Sequence, residues 1–202
     1  MIVGILLSAG ESRRMGTPKQ LLPWGKTTVL QRVIDSASAS RLERVLLILG
    51  YRADEMANRI TVSSKTSILV NRNFRDGMSS SVRCGIQNAP SDAEAFMLLL
   101  GDQPLVDAHT IDRLIDSYRM VGQGIVIPVY GGRRGHPVIF DSRYRTELLS
   151  ISDQGAREVV NRHAGDIFEV RMDSPNILAD MDTPQDYQEA KRKLENNHDP
   201  KS

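Results

Sequence analysis

The sequence predicts an α/β protein with a Rossmann-like, doubly wound and mostly parallel sheet, helices on both faces, and a small antiparallel extension. Three observations carry this. Short runs such as Val45–Leu49 and Ala95–Leu100 are apolar throughout, as strands covered on both faces are. Segments of helical period lie between such runs. The strand–helix alternation also repeats with little interruption through Tyr118.

Taken in order, Ile2–Leu7 reads as the first strand, and a polar loop follows it. Val29, Leu30, Val33, Ile34 and Ala37 share one helical face. Val45–Leu49 is the second strand and ends at Gly50, with a short helix over Asp54–Ile60 after it. Ser67–Val70 is a weaker strand, followed by a helix around Ser80–Asn88. Ala95–Leu100 is the next strand, and Ile111, Leu114, Ile115 and Tyr118 mark an amphipathic helix. The second half breaks the rhythm. Ile125–Tyr130, the loop GGRRG and His136–Phe140 read as two strands forming an antiparallel pair at the edge of the site. Ile167–Met172 is a further strand. Thr183-Pro184-Gln185-Asp186 opens the last helix, with Thr as N-cap and Pro at the first helical position. Residues 1–195 read as one domain and 196–202 as a polar tail.

The 202 residues are 40% apolar and 25% charged, enough to bury a full core. Aromatic residues make up only 5%, so aliphatic side chains must build that core. Twenty-six basic against 25 acidic residues leave a formal charge of +1, which argues against a nucleic-acid or anionic-membrane partner. Cys84 is the only cysteine, which fits a reducing compartment. The apolar start is short and lacks a preceding basic residue, and no apolar stretch reaches membrane-spanning length. A soluble, cytoplasmic protein is expected.

In open parallel sheets, ligands sit beyond the carboxyl ends of the strands. Those ends here are Ser8–Gly10, Gly50, Asn71 and Gly101–Asp102. The loop after the first strand, LLSAGESRRMGTPKQLL, combines glycines with Arg13, Arg14 and Lys19. Glycines let backbone N–H groups approach phosphate oxygens, and fixed cations offset the charge that develops during transfer. The bland alternative is a βα loop with solvated basic residues. Asp102 stands at the mouth of a buried strand, where it can serve as a hard-metal ligand or as a turn former before Pro104. Ser79, Ser80 and Ser81 open a helix, although capping alone needs one hydroxyl.

LLSAGESRRMGTPKQ resembles the signature LxAGxSxRMGxxK of the MobA-like nucleotidyltransferases. These include molybdenum cofactor guanylyl- and cytidylyltransferases and stand near the sugar-phosphate nucleotidyltransferases. Ser8 occupies a place where alanine or glycine is usual. Four further segments resemble that family: Asp76–Ser81, GDQP at Gly101–Pro104, GRRGHPVIF at 132–140, and ADMDTP at 179–184. Asp153–Arg157 (DQGAR) matches a DxGAR element of the cytidylyltransferase group.

The resemblance implies the nucleotide-diphospho-sugar transferase fold and a Mg²⁺-dependent reaction. It places Ser8, Ala9 and Gly10 at the base and ribose, with Ser12 and Gly16 shaping the loop. Arg13 and Lys19 would hold phosphates, and Ser80 and Ser81 would lie beside the base. Asp102 and Asp182 would hold the metal, with Asp180 a lesser choice. Gly135, His136, Pro137 and Arg157 would line the acceptor pocket. Alanine at position 9 goes with cytosine in that family and glycine with guanine, so CTP is the expected nucleotide and molybdopterin the expected acceptor. The product would serve a molybdenum hydroxylase apoenzyme such as xanthine dehydrogenase. Two other readings remain: a sugar-phosphate nucleotidyltransferase, and a non-catalytic carrier of molybdenum cofactor.

Overall fold

The computed structural model describes residues 1–12, 15–16, 18–152 and 154–196. Ten strands and seven α-helices are formed by these residues. The first strand, β1 (Ile2–Ser8), is buried along its whole length. A small hairpin, β2 (Pro23–Trp24) with β3 (Thr27–Thr28), then leads into α1 (Val29–Ala39). Thr28 caps α1 by accepting a hydrogen bond from the Gln31 amide at 3.2 Å. Next come β4 (Arg44–Leu49), the five-residue α2 (Ala53–Ala57), β5 (Thr66–Val70), α3 (Met78–Asn88) and β6 (Ala95–Leu100). Asp107 caps α4 (Ala108–Met120) through the Thr110 amide at 2.8 Å.

The remaining elements are β7 (Ile125–Tyr130), β8 (Arg133–Arg134), β9 (Val138–Asp141), α5 (Arg145–Leu149), α6 (Arg157–Arg162), β10 (Ile167–Arg171) and α7 (Pro184–Asn196). The α7 cap is the expected one: Thr183 Oγ1 accepts from the Asp186 amide at 3.2 Å, and Asp186 Oδ2 accepts from the Thr183 amide at 2.7 Å.

The main sheet has eight strands in the order β10-β7-β9-β6-β1-β4-β5, with β8 paired to β7. β1 runs parallel to β4 and to β6, and β4 runs parallel to β5. Side chains alternate between two cores, as strand geometry requires. Ile2, Leu6, Leu47 and Met97 face α1, α2 and α4. Val3, Ile5, Leu46 and Phe96 face α3, α5 and α6. Helices therefore cover both faces, and the apolar strand runs have the explanation the sequence suggested.

The antiparallel strand lies elsewhere than the sequence suggests. β9 is inserted between β6 and β7, antiparallel to both, in the middle of the sheet. It starts at Val138 rather than His136, because Pro137 has no N–H to give a ladder and the His136 amide bonds the Ile177 carbonyl at 3.1 Å. The pair joined by the glycine turn is the short ribbon β7–β8, with Gly131 and Gly132 both at positive φ.

Among the described residues no helix is long and apolar enough to cross a membrane.

Gly50 connects β4 to the site. A Cβ there would lie 2.6 Å from Phe74 Cβ and 2.8 Å from Ala9 Cβ and the Ala9 carbonyl oxygen. Gly50→Ala is therefore expected to destabilise the fold by about 1–3 kcal/mol, the range for overpacked sites. Equilibrium chemical denaturation measures it. A loss under about 0.5 kcal/mol, ordinary for a surface change, would mean that the loop at Ala9 yields freely.

Candidate active site

The sheet order creates a crevice. From β1 the chain passes to β4 and β5 on one side, then returns to β6 on the other. The chain segments leaving β1 and β6 diverge at their carboxyl ends, which is where ligands bind in open α/β sheets. A cleft opens there. Ser8, Ala9, Gly10, Lys19 and Asp102 line it together with Leu7, Gln20, Phe74, Met78 and Ser81. A Cβ at Gly10 would meet nothing within 4 Å, so packing does not require the missing side chain, and the space stays open to a ligand.

The loop after β1 is held by Ser12, a non-glycine residue at φ 52°. Its hydroxyl donates to Gln20 Oε1 at 3.1 Å and accepts from the Lys19 amide at 3.2 Å. Gly16 supplies a second positive φ, at 66°. Arg13 lies outside the described residues, as does Asp153 of the DQGAR segment.

Lys19 is the centre of the site. Its ammonium contacts Asp102 Oδ2, and it donates to Asp182 Oδ1 at 2.8 Å. The Lys19 side chain is 13% exposed and that of Asp102 16%. Burial works to lower the Lys19 pKa but is outweighed by the charges and hydrogen bonds of Asp102 and Asp182, so the net shift is upward. Two carboxylates from distant parts of the chain therefore meet at one cation. That donor set fits Mg²⁺, which takes one or two carboxylates and completes its shell with phosphate oxygens and water. Among the described residues no group of three or more His, Cys, Asp and Glu side chains is placed to hold a metal alone. Asp180 points elsewhere: its Oδ1 accepts from Gln103 Nε2 at 2.6 Å. Burial, with the charges of Asp102 and Asp182, raises its pKa against the opposing effects of Gln103 and His136.

The three serines that open α3 all have protein partners. Ser79 bonds the Ser152 carbonyl. Ser80 Oγ lies 2.8 Å from the carbonyls of Asn73 and Gly77 and accepts from Asn71 Nδ2 at 2.8 Å. Ser81 accepts from the same amide group at 3.0 Å. Of the two serines expected beside the base, Ser81 faces the cleft, while Ser80 faces a groove on its far side.

A second cavity brings together segments that are separate in sequence. Gly135, His136 and Arg157 line it with Arg134 and Asn161, over an apolar floor that includes Leu98 and Phe140. Pro137 is buried beside it. A Cβ at Gly135 would collide with the Ile177 carbonyl, and the Gly135 amide bonds the Pro128 carbonyl at 2.9 Å. Burial lowers the His136 pKa against the pull of Asp180, the Leu98 carbonyl and Asp102, and its Nδ1 is buried without a partner. Leu98 floors this cavity and Leu100, two residues on along β6, lines the first, so the two sites share one strand end.

A family model for the MobA-like NTP transferase domain matches residues 4–167. The chain belongs to the MobA-like NTP transferases. By fold and family this chain is a nucleotidyltransferase. The molybdenum cofactor cytidylyltransferase of Escherichia coli (strain K12) is 29% identical over 192 residues, spanning 94% of this chain and 95% of that protein. The nicotine blue oxidoreductase of Paenarthrobacter nicotinovorans is 31% identical over 166 residues, 77% of this chain and 79% of that one. The crystal structure of Rv0371c from Mycobacterium tuberculosis H37Rv in complex with manganese superposes with a TM-score of 0.80 at 29% identity, covering 95% and 98% of the two chains.

Sequence reasoning did not single out Gln20, Phe74 or Met78, all of which line the first cleft. Gln20 carried a readable signal, since it follows Lys19 within the basic loop. Phe74 and Met78 carried none, because an apolar residue in a cleft wall reads like any core residue.

Asp102→Asn is expected to keep a cooperative melting transition while divalent-metal-dependent nucleotidyl transfer falls by about 10²-fold or more, as for loss of one transition-state charge contact. Loss of the melting transition would instead make Asp102 a structural residue.

Proposed function

We propose that the chain transfers CMP from CTP to the terminal phosphate of molybdopterin, releasing pyrophosphate, and so prepares the cofactor for a molybdenum hydroxylase. The observation that supports this best is the pair of cavities at one strand end. The first is lined by Ser8–Gly10, Lys19 and Asp102, and Lys19 also holds Asp182; the second is lined by Gly135, His136, Val138, Ala156 and Arg157. Such an arrangement suits two substrates that must meet. The Escherichia coli relative is named a molybdenum cofactor cytidylyltransferase. The nicotine blue relative shows that related sequences carry other reactions, so specificity has to come from this chain's own residues.

The acceptor phosphate is already ionised at neutral pH, so attack on the α-phosphorus needs no general base. Positioning and charge stabilisation then carry the rate. Lys19 and Arg13 hold phosphate oxygens, and the backbone of Ser8–Gly10 approaches the nucleoside. Asp102 and Asp182 would hold Mg²⁺, which supplies charge neutralisation on the phosphate oxygens when bound. His136 and Arg157 orient the acceptor in the second cavity.

The deciding experiment gives the purified protein Mg²⁺, molybdenum-loaded molybdopterin and one of CTP, GTP, ATP or UTP, and records pyrophosphate. Release with CTP alone is expected. Release with GTP would keep the chemistry and overturn the reading of Ala9. Silence with all four from folded protein would favour a phosphosugar acceptor or a carrier. Arg157→Ala is expected to raise the acceptor KM about 10- to 100-fold, matching loss of a charged hydrogen bond of roughly 1.5–3 kcal/mol. The KM for CTP should stay unchanged, and an equal rise in both would remove Arg157 from the acceptor side.

A further inference from the structure

Lys19 does more than wait for phosphate. Its ammonium stands between Asp102 Oδ2 and Asp182 Oδ1, and the two aspartates are 83 and 163 residues away from it in sequence. That position is also where a cation shared by the two carboxylates would have to sit. Ammonium–carboxylate contacts run near 2.8 Å, as the Lys19–Asp182 one does. A Mg²⁺ or Mn²⁺ ion needs the same oxygens at roughly 2.0–2.2 Å. Both cations cannot hold these carboxylates together.

The backbone under Lys19 is held by the hydrogen bond its amide donates to Ser12 Oγ, so only the flexible side chain has to move for the pair to open. Protein ligands at this point are few. Among the described residues no cluster of three or more metal-ligating side chains exists, and Asp180 is committed to Gln103. A metal here therefore draws most of its shell from elsewhere. A triphosphate solves both problems at once, giving the metal its missing oxygens and the ammonium a new anionic partner.

We propose that Lys19 keeps the Asp102–Asp182 pair closed to free divalent ions, so that the protein takes its metal only as a metal–triphosphate complex. This rests on the nucleotidyltransferase reading of the site but on neither the base nor the acceptor. It makes metal and nucleotide binding mutually dependent, with Lys19 as the coupling element.

The test is a titration of the full chain with Mn²⁺, following free ion by electron paramagnetic resonance, with and without CTP and with no acceptor present. In the wild type, CTP is expected to raise Mn²⁺ affinity by about tenfold or more, within the usual range of coupling between ligands. Lys19→Met, unfolded or not being checked by melting, is expected to bind Mn²⁺ more tightly than wild type without CTP, and its CTP-dependent gain should shrink at least about fivefold. The two readouts decide only together, because loss of a phosphate contact alone would shrink the gain without tightening Mn²⁺ binding in the absence of CTP. A background charge would alter Mn²⁺ affinity in both states alike and leave the gain unchanged. An unchanged gain, or equal Mn²⁺ affinity of the two proteins without CTP, overturns the proposal. If Lys19→Met does not fold, Lys19→Gln takes its place, and a wild type whose Mn²⁺ affinity ignores CTP and GTP alike overturns the proposal by itself. Failure of the transfer panel, by contrast, would reject the cytidylyl-to-molybdopterin reading and leave this coupling standing.

Discussion

The site depends on one constraint: β1 is parallel to both of its neighbours. Ser8 pairs with Leu49 on one side and Leu7 with Leu100 on the other. The chain must then leave β1 and β6 in opposite directions, and the gap between the departing segments cannot be filled by either. Up to this point both faces of the strands are apolar and covered. The first residues free to be polar are therefore those at the ladder's end and just past it, such as Ser8 and Asp102. Their placement at the cleft follows from where the sheet ends. The same geometry gives β6 a second role, since the antiparallel β9 on its other side brings Gly135 and His136 to the same strand end.

A parallel sheet alone would leave Lys19 and Asp182 apart, because they belong to opposite ends of the chain. A small third core joins them. Trp24 from β2, Val29 from α1, Leu105 after β6, and Met181 and Ala190 around α7 are buried against one another. Tyr187 adds a hydrogen bond to the Pro23 carbonyl at 2.6 Å. Burying each large apolar side chain stabilises by about 1.5–3 kcal/mol. The ion triad cannot be credited with much net stability, since taking an ammonium and a carboxylate out of water costs about as much as their attraction returns. The apolar cluster holds the chain ends in place, and the charges are thereby preorganised.

The alternating architecture was legible in the sequence because strands buried on both faces leave no polar residue to confuse the pattern. The α7 cap was legible for a related reason: Thr183, Pro184 and Asp186 each have one conformational preference, and all three agree. The small hairpin β2–β3 was not legible, since two-residue strands carry no period. Nor was the central place of β9, because a sequence gives strand existence but no lateral order, and only right-handed crossovers constrain that order. In the site, Lys19, Asp102 and Asp182 could each be named from motifs. That they form one contact could not, because nothing local encodes a pairing across 163 residues. The partners of Ser80 were hidden too. A hydroxyl at a helix start looks equally available to a ligand and to the carbonyls of Asn73 and Gly77.

The electrostatics around the triad make a pattern of their own. Two ionisable neighbours, Asp180 and His136, are moved by burial in opposite directions, the carboxyl upward and the imidazole downward. Both shifts favour the uncharged form. Gln103 works the other way, donating its amide to Asp180, which favours the carboxylate, and to the Ile177 carbonyl at 3.5 Å. Burial thus works against charge on both neighbours, while Lys19 concentrates charge with the two carboxylates it bridges. For a reaction whose barrier lies in redistributing phosphate charge, that concentration matters more than a proton donor would. It also explains why a buried histidine beside two aspartates need not signal acid–base catalysis: its surroundings hold it toward the neutral state, where it can recognise a substrate but hardly drive a proton transfer.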